Sequence, residues 1–151
     1  MLSENIGAYV AVVDGAAITP VTAGGTGDAT LVTGYTVNRN SYSTPLSAVL
    51  AIPYNATLAA SKTLSLSYTI EGSASSDMSS PTTLASATTY VLVTSATASQ
   101  TVSGVVEVNL NLRTAGQYLR AKFTPTHSAT GTDTSGFGAV WVLGGVDSLP
   151  V

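Results

Sequence analysis

Apolar and polar side chains alternate with a period of two along much of this chain, and a helical period is nearly absent. The alternation is most regular in three segments, Leu64–Ile70, Val106–Leu112 and Leu119–Phe123. Successive side chains of a strand point to opposite faces of a sheet. Each segment is therefore predicted to be a strand with one buried face and one polar face.

Five further segments are rich in β-branched and aromatic residues but alternate less regularly. They are Tyr9–Val13, Leu31–Val37, Ala48–Tyr54, Thr89–Thr94 and Ala139–Leu143. Turn signals such as Asp14-Gly15 separate them, and residues 81–87 allow at most a single helical turn. About eight short strands in 151 residues predict one all-β domain, an antiparallel β-sandwich or jelly roll.

The two ends of the chain are predicted to extend from this domain. Residues 1–7 form a possible N-terminal arm and residues 144–151 a possible C-terminal tail, segments of a kind that often become ordered on a partner. The first residues lack the basic segment and apolar stretch of a secretion signal, so we expect synthesis in the host cytoplasm without export. No apolar run approaches the about 20 residues that span a bilayer, so we expect no membrane partner.

Composition narrows the function further. Only 13 of 151 residues are charged, there is no cysteine and one histidine, and Ser and Thr fill 42 positions. Such a chain holds little material for acid–base, nucleophilic or metal chemistry, so we expect no enzyme activity, cofactor or metal. A surface with little charge is easily desolvated, which favours stable contact with another protein.

The single histidine, His127, would have to serve any Ser/His/Asp site. It follows Pro125 in a segment expected to be an exposed loop, and no Gly-x-Ser-x-Gly elbow accompanies it. The acidic residues are separated along the chain, which leaves open a calcium site or a glycosidase pair assembled only in three dimensions. They are Glu4, Asp14, Asp28, Glu71, Asp77, Glu107, Asp133 and Asp147.

The basic residues are too few and too scattered for nucleic acid, which requires clustered Lys and Arg. Their closest approach is Arg113, Arg120 and Lys122. Arg113 and Arg120 either pair with acids of a partner or lie on a solvated strand face. Glu71 and Glu107 occupy polar positions of regular strands, where solvent or a partner is expected.

Trp141 is either a core or subunit-contact residue or a platform for a sugar ring. Its neighbours Val140 and Val142 point to the opposite face of the predicted strand. This strand is therefore apolar on both sides, and one side must be exposed or covered by a partner.

Several segments together carry a family resemblance. They are Gly116-Gln117-Tyr118-Leu119-Arg120, Phe123-Thr124, the loop ending at Gly131-Thr132-Asp133, the last strand from Gly138 to Gly145, and Leu64–Gly72 followed by Ser73–Asp77. Over about residues 60–145 the chain resembles the capsid cement or decoration proteins of tailed bacteriophages. The resemblance implies a jelly-roll or β-sandwich subunit on the outer capsid surface of a virion. It also implies that the subunit bridges major capsid protein subunits as a homo-dimer or homo-trimer, without catalytic residues.

We therefore predict a structural virion protein that stabilises a phage shell. A carbohydrate-binding or adhesin module, and a tail or head–tail joining protein, stay open as alternatives. The loops at 24–28 and 126–136 are secondary candidates for partner contact. The residues predicted to contact the partner are Met1, Leu2, Ser3, Glu4, Arg113, Arg120, Leu149, Pro150 and Val151.

Overall fold

The computed structural model describes residues 6–145, so the predicted contact residues at both termini lie outside the described residues. Within this range the chain forms nine strands and two short 3-10 helices, Ile6–Ala8 and Arg39–Tyr42. The strands are β1 (Ala11–Thr22), β2 (Val32–Thr33), β3 (Val37–Asn38), β4 (Ser47–Leu58), β5 (Thr63–Ser73), β6 (Thr82–Thr94), β7 (Gln100–Asn111), β8 (Tyr118–His127) and β9 (Thr134–Gly144).

The strands form two antiparallel sheets that pack face to face, which confirms the predicted β-sandwich. One sheet has the order β1-β9-β4-β7, and the other has the order β2-β8-β5-β6 with β3 also paired to β8. Counting β2 and β3 as one interrupted strand gives eight strands in two sheets of four. This order matches the jelly roll among the two predicted architectures.

The structure departs from the predicted elements in three places. The turn expected at Asp14-Gly15 is instead part of β1, whose register against β9 shifts between Asp14 and Ala16. The expected strand over Leu31–Val37 is broken, because Gly34 donates to the carbonyl of Ala121 in β8 while Tyr35 donates to that of Gly15 in β1, both at 2.8 Å. A Cβ at Gly34 would lie 2.3 Å from the Gly15 oxygen, so only glycine fits this crossing between sheets. Residues 82–87 belong to β6 rather than to a helical turn, in keeping with their Thr and Ser content.

The core fills the space between the sheets. Trp141, Phe123 and Phe137 are its largest fully buried side chains. Leucines and isoleucines of both sheets surround them, including Leu50 and Ile70. Trp141 is thus confirmed as a core residue. At 0% exposure its indole cannot be a platform for a sugar ring.

A buried arginine that the sequence analysis did not single out joins two loops at one end of the sandwich. The guanidinium of Arg39 donates to the carbonyls of Pro45 and Ala115, both at 2.7 Å, and Gly116, at 2.9 Å. Burial lowers the pKa of this guanidinium. Since the acceptors are backbone carbonyls and two of them, those of Ala115 and Gly116, are more than 70 residues away, no local motif marks Arg39 in the sequence.

Candidate functional site

The outward surfaces of the two sheets differ sharply in composition. We call the outward surface of β1-β9-β4-β7 the apolar face and that of β2-β8-β5-β6 the polar face. On the apolar face the outward residues are Val12, Asp14, Ile18, Pro20 and Thr22 in β1; Thr134, Gly136, Gly138, Val140, Val142 and Gly144 in β9; Ser47, Val49, Ala51, Pro53, Asn55 and Thr57 in β4; and Thr101, Ser103, Val105, Glu107, Asn109 and Asn111 in β7.

Strand register brings the apolar residues of this face together at its centre. The central rows, read across the sheet, are Val12–Val142–Val49–Asn109, Asp14–Val140–Ala51–Glu107 and Ile18–Gly138–Pro53–Val105. On the edge strands of the same rows, Ile18 and Val12 in β1 are 85% and 70% exposed and Val105 in β7 is 53% exposed, so large side chains project into solvent on both sides of the face.

The rest of the apolar face forms a polar rim. Ser, Thr and Asn occupy its two ends, and its two charged residues, Asp14 and Glu107, lie on the two edge strands of one row. Three strand spacings separate those carboxylates by about 14 Å. Three strands of twelve residues and one of eleven cover roughly 700 Å², close to the about 800 Å² that each partner contributes to a stable interface. An apolar centre with a polar rim is the usual anatomy of such an interface.

A notch interrupts the apolar face where β9 has two outward glycines. Gly136 and Gly138 leave a hollow of about 270 Å³ lined by Ile18, Pro53 and Asn55 among others. A Cβ added at Gly138 would meet Ile18 and Pro53 at ordinary contact distances of 3.7 and 4.0 Å. The hollow is therefore space left by the missing side chain of Gly138, whereas a Cβ at Gly136 would lie only 2.8 Å from Asn55 Oδ1.

The polar face carries short hydroxyl side chains and a network of ion pairs. The Glu71 carboxylate accepts hydrogen bonds from Lys122 Nζ at 2.8 Å and from the Arg120 guanidinium at 3.0 Å. Burial alone raises the pKa of Glu71, but the two cations outweigh burial and the net pKa is lowered. The cluster satisfies its own charges inside the chain.

A shallow groove of about 520 Å³ runs beside this cluster. Hydroxyl groups of Ser67, Thr69, Ser86 and Thr124 line it together with the Lys122 ammonium. Apolar side chains, among them Leu31, Tyr68 and Phe123, complete the lining, so the groove presents both hydrogen-bonding groups and apolar surface.

The structure corrects the expectation for His127. The residue ends β8, and its side chain is 0% exposed instead of lying in a solvent-exposed loop. Asp28 accepts hydrogen bonds from the backbone N–H groups of His127, at 2.9 Å, and of Gly24, at 2.7 Å. Burial raises the pKa of Asp28, but these bonds and the nearby imidazole outweigh burial and lower it. The pair fastens the 24–28 turn to β8, and no substrate can reach the buried ring.

Two of the predicted contact residues lie within the described chain. Arg113 is exposed in the turn after β7, where its backbone N–H donates to Asn111 Oδ1 at 3.0 Å. Arg120 lies on the polar face, where Glu71 of the same chain pairs with it at 3.0 Å. Contact of Arg113 or Arg120 with a partner stays a prediction. Glu71 is buried rather than solvated, whereas Glu107 is exposed as expected.

The predicted loops are partly regular structure. Residues 24–28 form a compact turn in which Gly25 N–H donates to the Thr22 carbonyl at 2.8 Å. Within 126–136, His127 still belongs to β8 and Thr134 already belongs to β9. The connecting loop is therefore shorter than predicted.

Residues 6–145 contain neither a candidate metal site nor a candidate membrane-spanning helix. In that part of the chain no group of three or more His, Asp or Glu side chains is placed to hold a metal ion. Nor does it contain a helix of the length and apolarity that crossing a membrane requires.

Comparison with solved structures finds four chains that are similar to this one. No protein-family model matches the sequence, and no curated protein matches it significantly. A chain from the structure of the infectious bursal disease virus Gt strain superposes with a TM-score of 0.46 at 12% sequence identity. The superposition covers 90% of this chain and 32% of that chain, so this chain spans about a third of its length.

Proposed function

We propose that this chain is a non-enzymatic structural protein of a virion that binds the outer surface of a bacteriophage shell. It bridges major capsid protein subunits through the apolar face and so stabilises the shell. The apolar face carries this proposal, because roughly 700 Å² of sheet bears only two charged residues among those described, Asp14 and Glu107.

Three further observations support it. A broad, flat and nearly uncharged surface suits a static contact with another protein, since its desolvation costs little. Many copies of a modest contact add up on a repetitive shell through multivalency. Finally, the sequence over about residues 60–145 resembles capsid cement proteins.

The non-enzymatic part of the proposal has its own support. The strongest candidate for a catalytic base, His127, is buried between the sheets, and its Nδ1 lies 3.5 Å from Asp28 Oδ1. The adhesin alternative loses Trp141 as a platform, because Trp141 lies in the core.

The test is cryo-electron microscopy of particles made by co-expressing this chain with the major capsid protein encoded in the same genome. We expect ordered density at fixed symmetry positions outside the shell, with β1, β9, β4 and β7 towards it. Bare shells with the protein left in solution contradict the proposal. Density confined to a tail or to a ring at the portal supports the tail or head–tail joining alternative instead.

A further inference from the structure

The sandwich has four outer strand edges, and three of them are protected against pairing with another strand. In β1 the register shifts twice, Pro20 lacks an N–H, and Tyr35 bonds to the Gly15 carbonyl. The opposite sheet ends in β2 and β3, which have two residues each. The register of β6 against β5 shifts three times. Bulges, prolines and short strands are the devices by which proteins blunt sheet edges.

The fourth edge, β7, has none of these devices. All twelve of its residues pair one to one with β4, from Gln100 with Leu58 to Asn111 with Ser47. It contains no proline, no lysine and no arginine. No second strand within residues 6–145 pairs with its other side. A long, regular and undefended edge of this kind is a template for strand addition.

Pairing geometry shows which backbone groups of β7 face outward. Val105 lies opposite Pro53, which has no amide hydrogen. The two residues therefore form a non-hydrogen-bonded pair, and the N–H and C=O of Val105 point away from β4. Because these directions alternate along a strand, the N–H groups of Ser103 and Glu107 also point outward.

Charge favours a copy of the same chain as the added strand. No charged residue lies between Asp77 and Glu107, a run of 29 residues that includes all of β6 and the first half of β7. Two identical surfaces built from this run meet without repulsion. In an antiparallel pair centred on Val105 or Val106, Glu107 faces Ser103 or Val105 of the second copy, so the two carboxylates do not oppose each other.

We propose that β7 pairs antiparallel with β7 of a second copy, giving a two-fold dimer with one continuous eight-stranded sheet. The pairing places the apolar faces of the two copies side by side and doubles the apolar surface available to one partner. It does not depend on shell binding: a monomer that still binds shells would overturn this inference and leave the proposed function standing.

The test compares the purified wild-type chain with Ser103→Pro and Ser103→Ala. The proline variant removes an outward N–H and places a ring in the path of the second strand, whereas the alanine variant keeps the N–H. We expect a wild-type mass near twice 15.2 kDa by sedimentation velocity. The two N–H groups lost per dimer should raise its dissociation constant about tenfold in S103P, with S103A near wild type.

Hydrogen exchange on the wild-type protein provides a readout that requires no variant. We expect the amides of Ser103, Val105 and Glu107 to be protected more strongly as protein concentration rises. A wild-type protein that stays monomeric while these amides exchange quickly overturns the inference. So does a dimer that a folded S103P leaves equally tight, because another surface would then hold it.

Discussion

The apolar face and the polar face are both outward surfaces of antiparallel sheets over one core. They differ in how many of their side chains are paired or covered within the chain. On the polar face the Glu71 carboxylate pairs with both Arg120 and Lys122 within the chain. On the apolar face the exposed side chains Val12, Ile18 and Val105 lack comparable cover among the described residues. The polar face pairs its charged groups within the subunit and exposes Val91, whereas the apolar face exposes several apolar side chains and is suited to burial against another surface.

The contrast originates in the strands themselves. The outward positions of β5 read Ser65, Ser67, Thr69 and Glu71, while those of β4 include Val49, Ala51 and Pro53. Strands that are apolar on both sides are typical of sheets covered on both faces. The second cover of β4 is therefore expected from outside the chain.

The largest expected effect tests this asymmetry directly. Val140→Lys places an unpaired ammonium in the central row of the apolar face, and Thr124→Lys places the same charge on the polar face. We expect V140K to weaken shell binding by about 100-fold or more, since a desolvated, unpaired charge at an interface centre is costly. T124K should bind like wild type in a co-sedimentation assay with shells. Equal binding by both variants would refute the role of the apolar face.

The next prediction compares the glutamates of the two faces. Glu71→Ala leaves Arg120 and Lys122 half-buried without their carboxylate, and we expect a loss of about 1–3 kcal/mol of unfolding free energy. Glu107→Ala removes an exposed carboxylate and should change stability by less than about 0.5 kcal/mol. Urea denaturation measures both. A stability loss in E107A as large as that in E71A would show that the faces do not differ in this way.

The pH dependence of the unfolding free energy should include a contribution from the Glu71 carboxylate. The folded-state pKa of Glu71 is lowered below its ordinary value of 4.5. Its contribution is therefore fully present above pH 4.5 and is lost as the pH falls through the folded-state pKa. We expect wild-type unfolding free energy to decrease in that acidic range and Glu71→Gln to flatten the decrease, although Asp28 retains its own share. Identical slopes for both proteins would contradict this account.

The smallest effect on the fold is expected at the notch. Gly138→Val fills the hollow without backbone strain, because a Cβ there meets no atom closer than 3.7 Å. Stability should change by less than about 1 kcal/mol, the span of strand propensities, while shell occupancy falls. Ser67→Val, which adds a similar side chain to the polar face, should leave occupancy unchanged. Full occupancy with G138V would mean that the notch receives nothing.

Residue patterns alone were enough for most of the strands and for the sandwich. Period-two alternation is a local property, so Leu64–Ile70 and Leu119–Phe123 could be placed in β5 and β8 without knowing their neighbours. The pairing of Val140 and Val142 around Trp141 also indicated a strand apolar on both sides. Ala48–Tyr54 also alternates irregularly and carries apolar residues at successive positions, and this was the available signal for the apolar face.

Tertiary structure decided how these strands combine. Whether β1, β4 and β9 share one sheet depends on long-range register, and only that adjacency merges scattered valines into a continuous surface. His127 bonds to Asp28, 99 positions away in the sequence, and Arg120 pairs with Glu71, 49 positions away. The sequence by itself determined which side chains alternate and where charge is missing. Folding determined which of them meet, because contacts between distant strands follow from packing and register and not from local spacing.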